Sequence, residues 1–154
     1  MTTPTAPHAD VAPAVSVRRL TKTFGAGDIA VHAVRDIDLD VARGEVVLIM
    51  GPSGSGKTTL LLMLGAMLRP TSGSVTLGGV DLATAHERRL PALRARHLGF
   101  VFQDFNLLGA LTAAENVELA ANLAGTTGRE ARERAAELLD RVGLAHRIDH
   151  RPDQ

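Results

Sequence analysis

The stretch Gly51-Pro52-Ser53-Gly54-Ser55-Gly56-Lys57-Thr58 satisfies the pattern G-x-x-x-x-G-K-[ST] at every fixed position. More than any other segment, it limits what this chain folds into. The pattern works where a strand delivers a tight glycine loop onto the first turn of a helix. Glycines let the backbone curl into a concave nest of N–H donors and approach anionic oxygens without a Cβ clash. The helix start adds the equivalent of roughly half a positive charge. The flanks agree with this arrangement. Val46-Val47-Leu48-Ile49-Met50 is a continuous apolar run of strand length, and Thr59-Leu60-Leu61-Leu62-Met63-Leu64 reads as a buried helix. The chemistry expected of the loop is a grip on nucleotide phosphates that runs from Gly51 to Thr59. Lys57 is expected to bridge the β- and γ-phosphates, and the Thr58 hydroxyl to ligate Mg²⁺.

Further strands and helices follow from local pattern. Val15 to Phe24 partly alternates apolar and polar residues, and Ala33 to Val41 alternates more cleanly; both predict strands. Arg43-Gly44-Glu45 is a turn into the apolar run. The helix after the loop is expected to end near Leu68, before Pro70 and Gly73. Ser74 to Leu77 followed by Gly78-Gly79 predicts a strand and a tight turn. Glu87 to Arg96 predicts a basic helix, and Leu98 to Phe102 another strand. Two helices then open on the same signature: Thr112 stands three residues before Glu115, and Thr127 three before Glu130. Each Thr hydroxyl is placed to accept an orphan N–H while the Glu reaches back. The second helix carries Ala131, Ala135, Leu138, Leu139 and Val142 on one face and ends at Gly143. Glu130/Arg134 and Glu137/Arg141 are favourably ordered pairs on it.

Composition removes several function classes. The chain has 154 residues, enough for one domain, with 17 basic and 17 acidic residues. A formal charge of zero argues against a strongly electrostatic nucleic-acid or membrane-surface binder. No cysteine is present, which excludes disulfides and cysteine metal sites and fits a reducing cytosol. The histidines lack metal-site spacing: His146 and His150 have no HExxH pattern, and His86 and His97 lie apart in a basic region. The apolar stretch from Leu60 to Leu68 falls short of the ~20 residues a membrane span requires. Residues 1–14, rich in Pro, Thr and Ala, predict a disordered lead before a domain over 15–154.

Three stretches, taken with the loop, resemble the ATP-binding subunits of ABC transporters. They are Pro70-Thr71-Ser72-Gly73-Ser74-Val75, Gly99-Phe100-Val101-Phe102-Gln103 and Leu111-Thr112-Ala113-Ala114-Glu115-Asn116-Val117. The resemblance covers about Val15 to Gln154. With Phe105-Asn106-Leu107-Leu108, it looks most like the branch of lipoprotein-release and macrolide-export ATPases. It implies an α/β fold: a P-loop NTPase core with an antiparallel β portion, a parallel sheet left incomplete, and a mostly helical insertion after Gln103. It implies ATP and Mg²⁺ as cofactors. Phe24 stands where the family stacks an aromatic, often Tyr, on adenine; a Phe ending a strand is otherwise core. Gln103 stands at the family's Q-loop, where the amide ligates Mg²⁺ or holds the attacking water. Phe105, Leu107, Leu108 and Leu111 read either as a docking surface for a transmembrane subunit or as locally buried. The implied partners are a transmembrane permease and a second nucleotide-binding domain, joined head to tail, at the inner face of the cell membrane.

Hydrolysis needs an acidic residue at the end of an apolar strand and a group that activates water. Neither Leu98-Gly99-Phe100-Val101-Phe102-Gln103-Asp104 nor Leu138-Leu139-Asp140 supplies one. By the resemblance, an LSGGQ-like signature follows almost directly after Gln154. The chain is therefore expected to be the N-terminal part of a nucleotide-binding domain that binds ATP without hydrolysing it, with no catalytic residue of its own. Two other readings stay open: a nucleotide-binding fragment without a transport role, and another P-loop enzyme such as a small-molecule kinase.

Overall fold

The structure, a computed structural model, describes residues 12–154. The expected lead falls almost wholly outside them. The chain divides into two compact units, separated in sequence between Pro91 and Ala92.

The first unit is built on one antiparallel sheet. Its strands are β1 (Val15–Phe24), β2 (Val31–Val41), β3 (Ser72–Leu77) and β4 (Val80–Asp81), in the order β2-β1-β3-β4. β1 is central, yet its buried residues Val17 and Leu20 lie three apart rather than two. The register shifts between them, where Arg19 adopts φ 45°. Side chains replace the ladder bonds lost there. Asp38 Oδ1 accepts from Arg19 N–H at 2.8 Å, and at the next shift, between Leu20 and Lys22, Thr21 Oγ1 accepts from Asp36 N–H at 3.0 Å. The shift brings both apolar side chains into one core with Val34, Val75, Leu77 and Leu82. Burial of each contributes about 1.5–3 kcal/mol as an upper estimate. The β3–β4 turn puts Gly78 and Gly79 at φ 55° and 86°, the left-handed pair that a two-residue hairpin demands.

Helix α1 (Lys57–Leu64) ends a turn earlier than its sequence suggests. Leu62 O accepts from Met67 N–H at 2.9 Å and Met63 O from Ala66 N–H at 3.1 Å, a Schellman closure with Ala66 at φ 54°. Met63 and Ala66 carry its buried surface, while Leu61 faces solvent. The expected strand Val46–Met50 does not form. A strand needs a ladder partner, and among the described residues none pairs with it, so Val46, Leu48 and Met50 are largely exposed.

The chain continues through helix α2 (Leu90–His97), which follows a 3₁₀ turn at Glu87–Arg89. In the second unit, residues 98–102 are also unpaired and form no strand; Phe100 and Phe102 stack with ring centroids 5.8 Å apart. Helices α3 (Ala113–Leu123) and α4 (Gly128–Arg141) pack on each other. α4 buries Ala131, Ala135 and Leu139 as its periodicity requires. Val142 does not join them. It is the C-cap and is exposed, because Gly143 (φ 75°) turns the chain away, its N–H donating to Asp140 O and the following Leu144 N–H to Leu139 O.

The two capping signatures part company. Thr112 and Glu115 form the complete box, whereas Thr127 makes no side-chain bond. Gly128, directly after Thr127, sits at φ 64°, so the backbone enters α4 through a left-handed residue. The expected ion pairs on α4 are replaced. Arg134 reaches Glu137 at 2.8 Å, Arg129 reaches Glu133 at 3.5 Å, and Arg132 reaches Glu118 on α3 at 3.5 Å. Among the described residues no helix is long and apolar enough to cross a membrane.

Candidate functional site

The site forms where the glycine loop meets β2. Gly56 is the N-cap of α1, at φ 89°, and its carbonyl accepts from Leu60 N–H at 2.8 Å. A Cβ at this position would strike the carbonyl oxygen of Ala33. Glycine therefore lets the loop close directly on the β2 backbone, with no side chain between them.

Lys57 opens the helix, and its side chain folds back over the loop. Nζ donates to Gly51 O at 2.8 Å and Pro52 O at 2.7 Å. These are exchangeable bonds to carbonyls rather than a salt bridge, so an anion entering the loop gains a nearby ammonium. Ser53, Gly54, Ser55, Gly56, Lys57, Thr58 and Thr59 line one side of a cavity of about 290 Å³; Val31, His32 and Ala33 line the other. The lining contains no carboxylate. It offers a lysine, four hydroxyls and the first N–H groups of a helix, which have no intrahelical acceptor. This donor set fits a polyphosphate. Hydroxyl oxygens such as that of Thr58 are donors suited to a hard cation such as Mg²⁺.

Phe24 ends β1 directly opposite Val31, next to the cavity wall, and is 44% exposed. Lys22 Nζ lies 5.2 Å from its ring centroid and donates to Arg69 O at 2.7 Å. One face of the aromatic is thus held by a cation, which points away from Phe24 as simple core. Gln103 belongs to the second unit, exposed in a bend after residues 98–102. Phe105, Leu107 and Leu108 are exposed in the same unit, which removes the reading of local burial; Leu111 is half-buried.

Sequence reasoning missed three residues. His32 lines the cavity through its place on β2, visible only once the strand register is known. Lys22 is important only because its ammonium meets Phe24 in space. Asn116 stands in a stretch already singled out, but its bonds to Leu108, Leu111 and Thr112 appear only when the loop folds back on α3.

Comparison with known proteins agrees with this geometry. Residues 34–154 match the family described as ABC transporter. An uncharacterized ABC transporter ATP-binding protein of Thermotoga maritima is 49% identical over 133 residues, covering 86% of this chain and 57% of that protein. The macrolide export ATP-binding/permease protein MacB of Brucella abortus is 48% identical over 143 residues, covering 93% of this chain and 22% of that one. Among solved structures, the ATP-binding cassette MJ0796, a dimer in a post-hydrolysis state bound to ADP and Pi, superposes with a TM-score of 0.83. It is 38% identical, and the match covers 91% of this chain and 62% of that one. The chain thus spans less than two thirds of each of these relatives.

Proposed function

Because this chain belongs to the ABC transporter family, we propose that it binds Mg²⁺-ATP on the Gly51–Thr59 loop and serves as the nucleotide-binding part of an export or lipoprotein-extraction machine. The observation that carries this reading is the carboxylate-free cavity between the loop and β2, with Lys57 among its lining residues. Mg²⁺ neutralises part of the triphosphate charge when bound. The chain's own residues do the rest. The loop N–H groups orient the phosphates, Lys57 exchanges its bonds to Gly51 and Pro52 for phosphate oxygens, and the Thr58 hydroxyl holds the cation. Phe24 stacks on the adenine with the face that Lys22 leaves open. By the family resemblance, the role proposed for Gln103 is to ligate Mg²⁺ or hold the attacking water through its amide oxygen.

Export is supported by the resemblance of MacB, itself an ATP-binding/permease protein. The partners proposed are a transmembrane permease, met by the exposed Phe105, Leu107 and Leu108, and a second nucleotide-binding domain as in the MJ0796 dimer. With these partners, the location proposed is the inner face of the cell membrane. Isothermal titration tests the cradle. Lys57→Ala removes a charge-assisted contact worth about 1.5–3 kcal/mol, a weakening of ATP binding by roughly 10- to 150-fold. Equal affinity of the folded wild type and variant would sink the assignment. Removing Mg²⁺ with a chelator is expected to weaken ATP more than ADP.

A further inference from the structure

We propose that His32 is a further binding residue of the cavity and that it hydrogen-bonds a hydroxyl of the nucleotide's ribose. The inference rests on reading the cavity as a nucleotide site, and it adds the sugar to the base and phosphate contacts.

The argument begins with the order of residues on β2. Val31 stands opposite Phe24, at the base end. Ala33 stands against Gly56, at the phosphate end. His32 lies between them and lines the same cavity. Two strand residues span about 6.5 Å, comparable to the pentose that separates base from α-phosphate.

The strand is irregular at this point. Lys22 pairs with Val34 and Thr23 with His32, which leaves Ala33 as an extra residue on β2. A bulge of this kind re-aims side chains that regular alternation would send to opposite faces. Here it lets Val31, His32 and Ala33 all border one cavity.

The ring is also held. His32 Nδ1 and Thr23 Oγ1 are 2.9 Å apart. Thr23 is fixed in turn, since its N–H donates to Thr71 Oγ1 at 3.0 Å and its carbonyl accepts from the same hydroxyl at 3.3 Å. With Nδ1 engaged, Nε2 is the nitrogen left for a ligand. If the threonine hydroxyl donates, Nε2 carries the proton and donates outward; if Nδ1–H donates, Nε2 accepts. A sugar hydroxyl both donates and accepts, so it fits either tautomer. A phosphate oxygen or the furanose ring oxygen only accepts and fits one.

The test titrates the full chain with Mg²⁺ and ATP, 2′-deoxy-ATP or 3′-deoxy-ATP. Wild type is expected to prefer ATP over one deoxy analogue by about 3- to 10-fold, the range of one neutral hydrogen bond. His32→Leu is expected to lose that preference, binding ATP as weakly as the deoxy analogue. His32→Gln, which keeps a polar terminus, retains part of it. Thr23→Val reduces the preference in wild type and has no effect on it in the His32→Leu background. Equal loss for all three nucleotides in His32→Leu, no loss for any, or a wild type indifferent to both hydroxyls would overturn the proposal. Each of those outcomes leaves the nucleotide site standing if Lys57→Ala still weakens ATP. If Lys57→Ala binds ATP as wild type does, the reading of the cavity itself falls.

Discussion

Ala33 and Gly56 meet backbone to backbone, with no room for a side chain between them. This contact fixes how far the phosphate loop stands from β2, and so sets the width of the cavity. Gly56 also holds a left-handed φ of 89°, which a Cβ would strain. Gly56→Ala therefore incurs two penalties at once. Strain and collision together are expected to cost about 1–3 kcal/mol of stability, read as a lower unfolding midpoint. ATP affinity is expected to fall further than stability alone explains, because the loop must move outward to relieve Ala33. A variant that melts and binds like wild type would show that the loop is not seated on β2.

Arg18 and Asp40 form a two-pronged ion pair across β1 and β2, at 2.8 and 2.7 Å, with both side chains about half exposed. The Arg18 hydrogen bond, with a second from Ser16, holds the Asp40 carboxyl below its ordinary value of 3.8. A depressed carboxyl stabilises the fold when ionised. Its contribution is complete above the unfolded-chain value and fades as pH falls through the lower folded one. Asp40→Asn is therefore expected to lower the midpoint slightly at neutral pH, with the gap to wild type closing below pH 3.8. The gap is expected to narrow in high salt, since the pair is exposed. Thermal melts of both proteins across that range check the sign. A gap that widens on acidification would contradict it.

Asn116 ties the exposed loop of the second unit to α3. Its Oδ1 accepts from Leu108 N–H at 2.8 Å, and its Nδ2 is shared among Leu108 O, Leu111 O and Thr112 O at 3.2, 3.2 and 2.9 Å. Leu108 N–H is thus held by this side chain, while Leu108 O also accepts from Leu111 N–H at 3.0 Å. Asn116→Ala is expected to cost about 1–3 kcal/mol of local stability and to accelerate hydrogen exchange at the Leu108 amide. Asn116→Asp keeps the acceptor and loses the donors, so it is expected to protect that amide while loosening Leu111. Unchanged exchange in both variants would show that the loop is held by something else.

What the sequence makes legible depends on whether a signal is local. β1 is readable to the residue, and the order of loop then helix follows from the motif, although α1 starts at Lys57, ahead of the apolar run that begins at Thr59. The apolar runs Val46–Met50 and 98–102 mislead, because hydrophobicity reports what side chains prefer and not whether a partner strand is present. The helix after the loop is overrun in prediction because its stop is made by Ala66, a residue that favours helix, held left-handed by its surroundings. His32 escapes notice because its role depends on a one-residue bulge, and strand register is a long-range property.

The two helix starts give a comparison within one molecule. Thr112 accepts from Glu115 N–H at 3.2 Å while Glu115 Oε2 accepts from Thr112 N–H at 2.8 Å. The same helix end is further tied by Ala113 N–H to His150 O and Ala114 N–H to Ile148 O, at 2.8 and 3.0 Å. Thr127 shares the Thr-x-x-Glu spacing but makes no such bond, because Gly128 bends the entry away from helical geometry. Thr112→Ala is therefore expected to cost about 1 kcal/mol, the usual loss of a side-chain cap. Thr127→Ala is expected to cost no more than a few tenths of a kcal/mol, as at an uncapped surface position. Glu115→Gln keeps an amide oxygen that can reach back and is expected to lose less than Thr112→Ala. Denaturant titration of the three variants separates these cases. Equal losses at Thr112 and Thr127 would mean that sequence spacing alone governs the cap, and that the left-handed entry at Gly128 does not.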